Sequence, residues 1–314
     1  MQIRPTFTKR QMRSALRAKL LACLFPFVLS SYVPAGAAIV IAAPSSDAAV
    51  SLQSKYAALR DKLTKSEFQR PLYLESNEAS GDVKSDIYAL VDYQFPTVAA
   101  ALTGESQWCE ILILHLNVKE CRASHEGTEA AINIYVGKKY AQPIDAATRM
   151  DFSYRVVARS RDYFEVVLNA GTGPVGTRDY LIRLEAVPLE NNKTFVHLSY
   201  SYSCGLAARL ALKTYLNTFG SDKVGFSVVG RRATGEPVYV GDVRGVLERN
   251  TMRYYLAIDA YLHTLSVPPE KQLEQRLREW YAATERYPLQ LHELSESEYV
   301  GMKQNEYRRH RGEG

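Results

Sequence analysis

The feature that most constrains the fold is a run of alternating segments between residues 151 and 203. The run has four segments, at 151–160, 162–168, 178–187 and 194–203, and in each of them apolar side chains occupy every second position. A period of two is typical of a β-strand that buries one face. Turn-forming residues separate the segments, as at Gly171-Thr172-Gly173-Pro174. The pattern therefore predicts an antiparallel meander that helices from elsewhere in the chain must cover.

Helical and strand-like segments surround this meander. Helices are predicted at 48–63, 95–102, 105–111, 205–219, 245–265 and 269–287, and further strands at 71–78, 83–92, 112–121, 128–138, 223–230 and 237–241. The segment 245–265 is the longest of the helices. No linker rich in Pro, Gly and Ser divides the chain, and no repeat period is visible. We therefore expect an α+β fold with one main domain and helical additions.

Residues 1–43 have the organisation of a secretory signal peptide. Six basic residues between Arg4 and Lys19 precede an apolar stretch from Leu20 to Val33, and small residues follow it. An uncleaved membrane anchor is the alternative, although the stretch is short and contains Pro26. We therefore predict export. The expected division is a signal peptide at 1–43, an N-terminal helix within 44–70, a ligand-binding domain at 71–267 and a C-terminal helical extension with a basic tail at 268–314.

The basic character of the chain comes from this leader. The whole sequence has 39 Lys+Arg and 34 Asp+Glu, and the leader contains six basic and no acidic residues. The remaining chain therefore has 33 basic and 34 acidic residues and is close to neutral. Such a surface offers no electrostatic footprint for nucleic acid. We expect no nucleic-acid partner and a monomeric protein.

Three cysteines follow the leader. Cys109 and Cys121 are the near pair, and in an oxidising compartment they are predicted to form a disulfide. Two reduced, buried thiols are the alternative. Cys204 is expected to be a buried thiol, because no residue near it in sequence supplies the base that a nucleophile needs. The cysteines also lack the short C-x-x-C pairing of zinc sites, and we expect no cofactor and no metal.

The order of these elements resembles the START-like (SRPBCC, Bet v 1-like) helix-grip superfamily. The matching pieces are two strands, two short helices, a long meander and a long helix near the C-terminus, over roughly residues 71–265. The chain also resembles exported proteobacterial members through the sequences at 108–110, 115–119, 176–180 and 248–255. The resemblance implies a curved antiparallel sheet wrapped around the long helix and an apolar cavity for a hydrophobic molecule. The periplasmic location is predicted from the signal peptide. The resemblance implies no settled activity, and the helix predicted at 205–219 departs from the minimal pattern.

Tyrosine is unusually frequent, with 21 Tyr against 10 Phe. A Tyr in a cavity wall offers apolar area and a hydroxyl that can orient a ligand. The candidate ligand-binding residues are Tyr154, Tyr180, Tyr200, Tyr202, Asn250, Arg253 and Tyr254. The alternative is that these side chains only fill a core.

The long helix carries polar residues on its apolar stripe. Asn250 lies on this stripe, so it needs a partner that is either a protein group or the polar head of a ligand. Arg249 and Arg253 are spaced i, i+4 and could receive a carboxylate or phosphate head. Ordinary salt bridges with Glu248 and Asp259 are the favoured interpretation.

Two further polar sets could support chemistry. One face of the strand predicted at 112–121 carries His115, Asn117 and Lys119. These residues could form an acid–base site. The favoured interpretation is that this face is exposed to solvent. Glu185 and His197 are predicted neighbours across a hairpin. No G-x-S-x-G, H-E-x-x-H or P-loop motif accompanies either set, so no catalytic residue is assigned.

Two main function classes follow. The first is a binding or carrier protein for a lipid-like or polycyclic ligand, with a possible transient contact with membrane. The second is a hydrolase or cyclase that would place His197 and Glu185 in the cavity. A third possibility is an envelope interaction module that would expose Trp280 and Tyr281. A fold alone does not choose among them.

Overall fold

The computed structural model describes residues 46–126, 129–206, 208–210 and 223–310. The strands are β1 (Leu72–Ala79), β2 (Asp82–Val91), β3 (Val118–Glu126), β4 (Glu129–Val136), β5 (Thr148–Arg159), β6 (Phe164–Thr172), β7 (Arg178–Pro188), β8 (Thr194–Ser203), β9 (Val228–Arg231) and β10 (Pro237–Tyr239). The α-helices in these ranges include α1 (Asp47–Thr64), α2 (Phe95–Leu102), α3 (Glu105–Leu112), α4 (Asp242–His263), α5 (Pro269–Thr284), α6 (Pro288–Leu291) and α7 (Glu296–His310). Within the described residues, no helix combines the length and apolar character needed to span a membrane.

Eight strands form one antiparallel sheet in the order β1-β2-β8-β7-β6-β5-β4-β3. The strands from β3 to β8 follow one another as a meander, and the β1–β2 hairpin pairs with β8. The hairpin turns at Ser80-Gly81, where Gly81 has a φ of +93° that favours glycine. A Cβ there would lie 3.1 Å from the Cys204 carbonyl oxygen. The predicted meander and the α+β class are confirmed.

Helix α4 is the centre of the core. Of its 22 residues, 17 are buried, because it packs against β1, β2 and β8 on one side and against α3 and α5 on the other. The inward residues of β7 and β8 are buried as the alternation predicts, Ile182 and Leu198 among them. Side chains from β4, β5, β7 and β8 meet α4 at one cavity, so the sheet curves around the helix. This is the helix-grip architecture.

Helix α1 covers part of the opposite face of the sheet. Leu52, Leu59 and Leu63 on its apolar stripe are buried against Tyr88 and Phe195 in a second apolar cluster. Ser46 begins the helix, and its hydroxyl accepts a hydrogen bond from the Ala49 amide at 3.2 Å. The sheet therefore has two covered faces, and only the inner one contacts α4.

The strand predicted at 112–121 is wrong in its first half. Helix α3 continues to Leu112, a turn follows, and β3 begins only at Val118. His115 and Lys119 were expected on a solvent-facing surface, but both are buried. The reason is tertiary packing, because α7 covers this turn: Lys303 Nζ donates to the carbonyls of His115 (3.2 Å) and Val118 (2.6 Å).

The disulfide prediction is confirmed. Cys109 on α3 and Cys121 on β3 are bonded, with their Cα atoms 5.3 Å apart. The bridge ties the turn between these elements at both ends. Cys204 is a buried free thiol, as expected. The signal peptide predicted at 1–43 and most of the helix predicted at 205–219 lie outside the described residues.

Candidate functional site

A partly enclosed cavity lies between α4 and the inner face of the sheet. Its volume is about 260 Å³, and most of its lining is apolar. The lining residues come from the turn after α3 and the start of β3, from β4 and the segment after it, from β5, β7 and β8, from the β6–β7 turn, and from α4. They are His115, Asn117, Val118, Ile134, Val136, Gly137, Lys139, Met150, Phe152, Pro174, Val175, Thr177, Tyr180, Tyr200, Tyr202, Val246, Arg249, Asn250, Arg253 and Tyr254.

Strand alternation and helical spacing bring the polar lining residues together. Tyr200 and Tyr202 are two apart on β8, so both face inward, and Tyr200 pairs with Ile182 on the neighbouring strand. On α4, Arg249, Asn250, Arg253 and Tyr254 follow the i, i+3, i+4 spacing of one helical face. Six of the seven predicted ligand-binding residues therefore line one cavity, and their role in binding stays a prediction.

Four tyrosines form a continuous wall of this cavity. The ring centroids of Tyr180 and Tyr202 are 5.1 Å apart, and those of Tyr200 and Tyr254 are 5.3 Å apart. The Tyr180 hydroxyl is hydrogen-bonded to Thr177 Oγ1 at 2.6 Å. The hydroxyls of Tyr200, Tyr202 and Tyr254 have no hydrogen-bond partner among the described residues. Burial raises the pKa of Tyr180 to about 12 and raises the pKa of Tyr200 well above its ordinary value, so these hydroxyls stay protonated and can donate.

Arg253 is held by a buried ion pair. One of its terminal nitrogens, Nη2, donates to Glu293 Oε1 at 2.8 Å, and Glu293 also accepts from Lys139 Nζ. Burial raises the pKa of the Glu293 carboxyl, but Arg253 and Lys139 outweigh this effect and lower it overall. Glu293 is therefore ionised and forms ion pairs with both Arg253 and Lys139.

Arg249 differs from its neighbour because it has no ion pair and no hydrogen bond among the described residues. Its residue exposure is 4%, and its Nη1 atom is buried without a partner. Burial lowers the pKa of Arg249 to about 10, and repulsion by Arg253 adds to the effect. The guanidinium remains charged at neutral pH even so.

His115 presents a donor to the cavity. Its Nδ1 accepts a hydrogen bond from the Asn117 amide at 3.2 Å, so the neutral ring carries its proton on Nε2. Nε2 is near the Asn250 side chain but makes no well-formed hydrogen bond. Burial lowers the pKa of His115 well below its ordinary value, and the charges of Arg253 and Lys303 lower it further. The neutral ring suits a positioning donor better than a general base at Nε2.

The prediction that Arg249 and Arg253 pair with Glu248 and Asp259 is wrong. Glu248 instead accepts hydrogen bonds from the backbone amides of Phe226 (2.6 Å) and Ser227 (2.9 Å). Asp259 pairs with Arg70 at 2.7 Å. Both carboxylates lie on other faces of α4 than the cavity, which leaves Arg253 to Glu293 and Arg249 without a partner. Glu293 follows Arg253 by 40 residues in sequence, so no local spacing pointed to it.

Tyr154 is the predicted site residue that lies away from the cavity. It is buried on β5 and contributes to a separate depression with Thr103 and Glu105, at the corner between α2 and α3. Strand β5 is twelve residues long. Its first half, with Met150 and Phe152, reaches the cavity, and its second half runs past it.

Glu185 and His197 are neighbours across the β7–β8 hairpin, as predicted, but they face away from the cavity. His197 Nδ1 is 2.6 Å from Glu185 Oε1, and its Nε2 is 2.8 Å from Asp86 Oδ1. The ring stacks on Tyr88 with centroids 4.2 Å apart. The enzyme alternative required both residues to point into the cavity, so it loses this support.

Trp280 and Tyr281 do not form an exposed aromatic face. Trp280 is buried, stacks on Tyr299 with ring centroids 4.8 Å apart, and donates to the Arg253 carbonyl at 3.1 Å. Tyr281 is half-buried and donates to the Leu294 carbonyl. Among the residues that the structure describes, no group of three or more His, Cys, Asp or Glu side chains could hold a metal ion.

Comparison with known proteins gave distant structural neighbours only. No protein-family model matches the sequence, and no curated protein matches it. Similar solved structures include a conserved protein from Geobacillus kaustophilus (9% identity, 58% of this chain and 96% of that chain, TM-score 0.32). They also include norcoclaurine synthase from Thalictrum flavum (11%, 46% and 86%, TM-score 0.31) and human StAR-related lipid transfer protein 5 (11%, 53% and 91%, TM-score 0.28). At such TM-scores the neighbours carry no argument on function, and the helix-grip assignment rests on the topology described above.

Proposed function

We propose that this protein binds or carries a hydrophobic small molecule in the cavity between α4 and the sheet. The observation that carries the proposal is a mostly apolar cavity of about 260 Å³ whose wall includes three tyrosine hydroxyls that have no hydrogen-bond partner in the described part of the chain. A well-packed core leaves few voids larger than one water molecule. In bulk liquid a water molecule takes about 30 Å³, so this space equals roughly eight or nine waters.

The size of the cavity narrows the ligand. Pockets for drug-sized molecules are usually about 300–1,000 Å³, and this cavity lies just below that range. The volume favours a single acyl chain or a small ring system over a whole two-chain phospholipid. The polar lining groups belong mainly to α4 and to the tyrosine wall, whereas Ile134, Met150 and Phe152 form an apolar part of the lining. A ligand with one polar end and one apolar end fits this division.

We also propose that the protein acts in the periplasm. The support is the basic, apolar and small-residue order of residues 1–43, together with a disulfide of the kind that persists in oxidising compartments. Fractionation of the native host tests this: the chain is expected in the periplasmic fraction in its shortened form. Recovery of the full-length chain in the cytoplasm would contradict it.

Native mass spectrometry of the protein purified from its own host, followed by lipid extraction, tests the binding function. We expect a co-purifying hydrophobic molecule at close to one copy per chain. Val246→Trp, at a half-buried lining residue of α4, should fill the space and exclude the molecule. The matched control Val238→Trp, on the exposed strand β10 away from the lining, should retain it. Equal occupancy of both variants, or an empty wild type that also binds no added amphiphile, would overturn the proposal.

A further inference from the structure

We infer that the ligand has an anionic head, a carboxylate or a phosphate monoester, and that Arg249 binds it. This inference rests on the proposed function, since it assigns the chemical class of the molecule held in that cavity. Two features of the polar end support it: the local charge balance, which depends on how the neighbouring carboxylates are paired, and the unpaired donors.

The charge balance at the polar end is positive. Arg249, Arg253 and Lys139 all line the cavity, and Glu293 is the one carboxylate that binds two of them. Glu248, next to Arg249 in sequence, is fully buried and occupied by hydrogen bonds from Phe226 and Ser227. The cavity therefore has an excess of cationic groups over the carboxylate that neutralises them. A buried charge without a partner is costly, and an anion at this end would offset that cost.

The buried atoms without hydrogen bonds point to the same chemistry. Of the seven such side-chain atoms in the described residues, three belong to cavity-lining residues: Arg249 Nη1, Arg253 Nε and His115 Nε2. All three are N–H donors, since His115 Nδ1 is already an acceptor. The protonated hydroxyls of Tyr200, Tyr202 and Tyr254 add further donors at the same wall. Because these atoms are all hydrogen-bond donors, the complementary ligand group is one that only accepts hydrogen bonds. An ionised carboxylate or phosphate is such a group.

Arg249 is the residue on which the inference depends. Arg253 already binds Glu293, so its charge is satisfied within the protein. Arg249 lines the same cavity but has neither a carboxylate nor a carbonyl partner in the part of the chain that the structure describes. A guanidinium presents its donors in a planar fork that suits two-point binding of a carboxylate or phosphate. Its one-turn spacing from Arg253 places both groups along the same side of α4.

Calorimetric titration of delipidated protein with matched amphiphiles tests the inference. The ligands are decanoate, decyl phosphate and decan-1-ol, which share a ten-carbon chain, and acetate and inorganic phosphate serve as heads without a chain. The proteins are wild type, Arg249→Gln and the control Arg276→Gln. Arg276 is also a buried arginine, but it is paired with Glu110 at 2.9 Å and does not line the cavity. Circular dichroism confirms that each variant is folded at the temperature of the titration.

We expect wild type to bind decanoate or decyl phosphate at least about tenfold more tightly than decan-1-ol. Arg249→Gln should weaken the binding of the anionic ligands by about tenfold to a hundredfold, which corresponds to the free energy of one hydrogen bond to a charged group. It should leave decan-1-ol unchanged, and Arg276→Gln should leave all affinities unchanged. Equal binding of the three amphiphiles, with no effect of Arg249→Gln, would overturn the anionic head while the hydrophobic-ligand function stands.

The other outcomes also decide. Binding of inorganic phosphate or acetate as tightly as the amphiphiles would mean that the site takes a free anion, which contradicts the amphiphile class. Failure of all three amphiphiles to bind wild type would contradict the inference and the proposed function together. Since decan-1-ol reports on the cavity and the anionic pair reports on Arg249, the two failures are distinguishable.

Discussion

The two faces of the sheet pair their buried charges differently. On the outer face, His197 lies between Asp86 and Glu185, and Glu185 also accepts from the Tyr163 hydroxyl at 2.7 Å. On the inner face, Arg249 is as buried as His197 and has no partner among the described residues. Both faces bear the cost of removing charge from water. The outer cluster recovers that cost through its own ion pairs, whereas Arg249 does not, which indicates a structural role for the cluster and a binding role for Arg249.

Helix α4 contains the same contrast within one turn. Arg253 has a carboxylate partner and Arg249 does not. If pairing distinguishes structural from ligand-binding groups, the two arginines must respond differently to removal. This comparison has fewer variables than the comparison between the two faces of the sheet, because Arg249 and Arg253 share the same helix, a similar burial and the same residue type.

The largest effect is expected from Arg253→Met. The substitution leaves Glu293 buried with Lys139 as its remaining cation, and breaking a buried pair from one side costs about 3–5 kcal/mol of unfolding free energy. Urea unfolding of the ligand-free protein measures the loss. Arg249→Gln is the matched control, and it should lose no stability because no ion pair is broken. Equal destabilisation by the two substitutions would remove the distinction between the two arginines.

The next largest effect is expected on the outer face, from His197→Phe. The ring can still stack on Tyr88, but Asp86 and Glu185 lose a charged hydrogen-bond donor, at a cost of about 2–3 kcal/mol. Urea unfolding near pH 6 measures it. His125→Phe is the control, because His125 is exposed and surface substitutions usually change stability by less than about 0.5 kcal/mol. A cost as small as the control's would mean that this cluster is not structural.

The same cluster predicts the pH dependence of stability. Burial lowers the pKa of His197, but Asp86 and Glu185 outweigh it, so the pKa is raised overall. Burial raises the pKa values of Asp86 and Glu185, but His197 and their other partners outweigh it, so both are lowered overall. The histidine contribution is complete below its unfolded pKa of about 6.5 and is lost as the pH rises through the folded value. The carboxylate contributions are complete above about pH 4.5 and are lost on acidification.

Wild type is therefore expected to gain most from this cluster between about pH 4.5 and 6.5. The difference in unfolding free energy between wild type and His197→Phe should be largest in that window and should shrink as the pH rises above it. Denaturant unfolding in a series of buffers tests the sign. A difference that grows with rising pH would contradict the assignment of a charged His197.

Much of the fold could be predicted from the sequence, because its strands bury one face and alternate cleanly. The strand at 194–203 and the helix at 95–102 have the predicted bounds. The turn at 113–117 could not be predicted, since α7 buries it through Lys303, far along the chain. The tyrosine wall followed from strand alternation. The unpaired state of Arg249 did not, because it depends on where Glu248 and Glu293 point in three dimensions.

The smallest expected effect is that of Asn250→Leu. Asn250 is half-buried, and its side chain accepts a long hydrogen bond from Arg253 Nη1 at 3.5 Å. If it contacts the ligand head, its loss should weaken decanoate binding by about twofold to tenfold, the value of one neutral hydrogen bond. Stability should change by less than about 1 kcal/mol. Asn305→Leu on the exposed side of α7 is the control, and a large stability loss with normal binding would contradict the role of Asn250.

The most direct test of a ligand-binding Arg249 is the thermal unfolding midpoint of delipidated wild type and Arg249→Gln, each with and without decanoate. Without ligand, Arg249→Gln should unfold at the same or a higher temperature, because an unpaired buried charge has been removed. Decanoate should raise the midpoint of wild type, since binding to the folded state stabilises it, and should raise that of the variant much less. A variant that unfolds at a lower temperature without ligand, yet gains as much from decanoate as wild type, would show that Arg249 is structural.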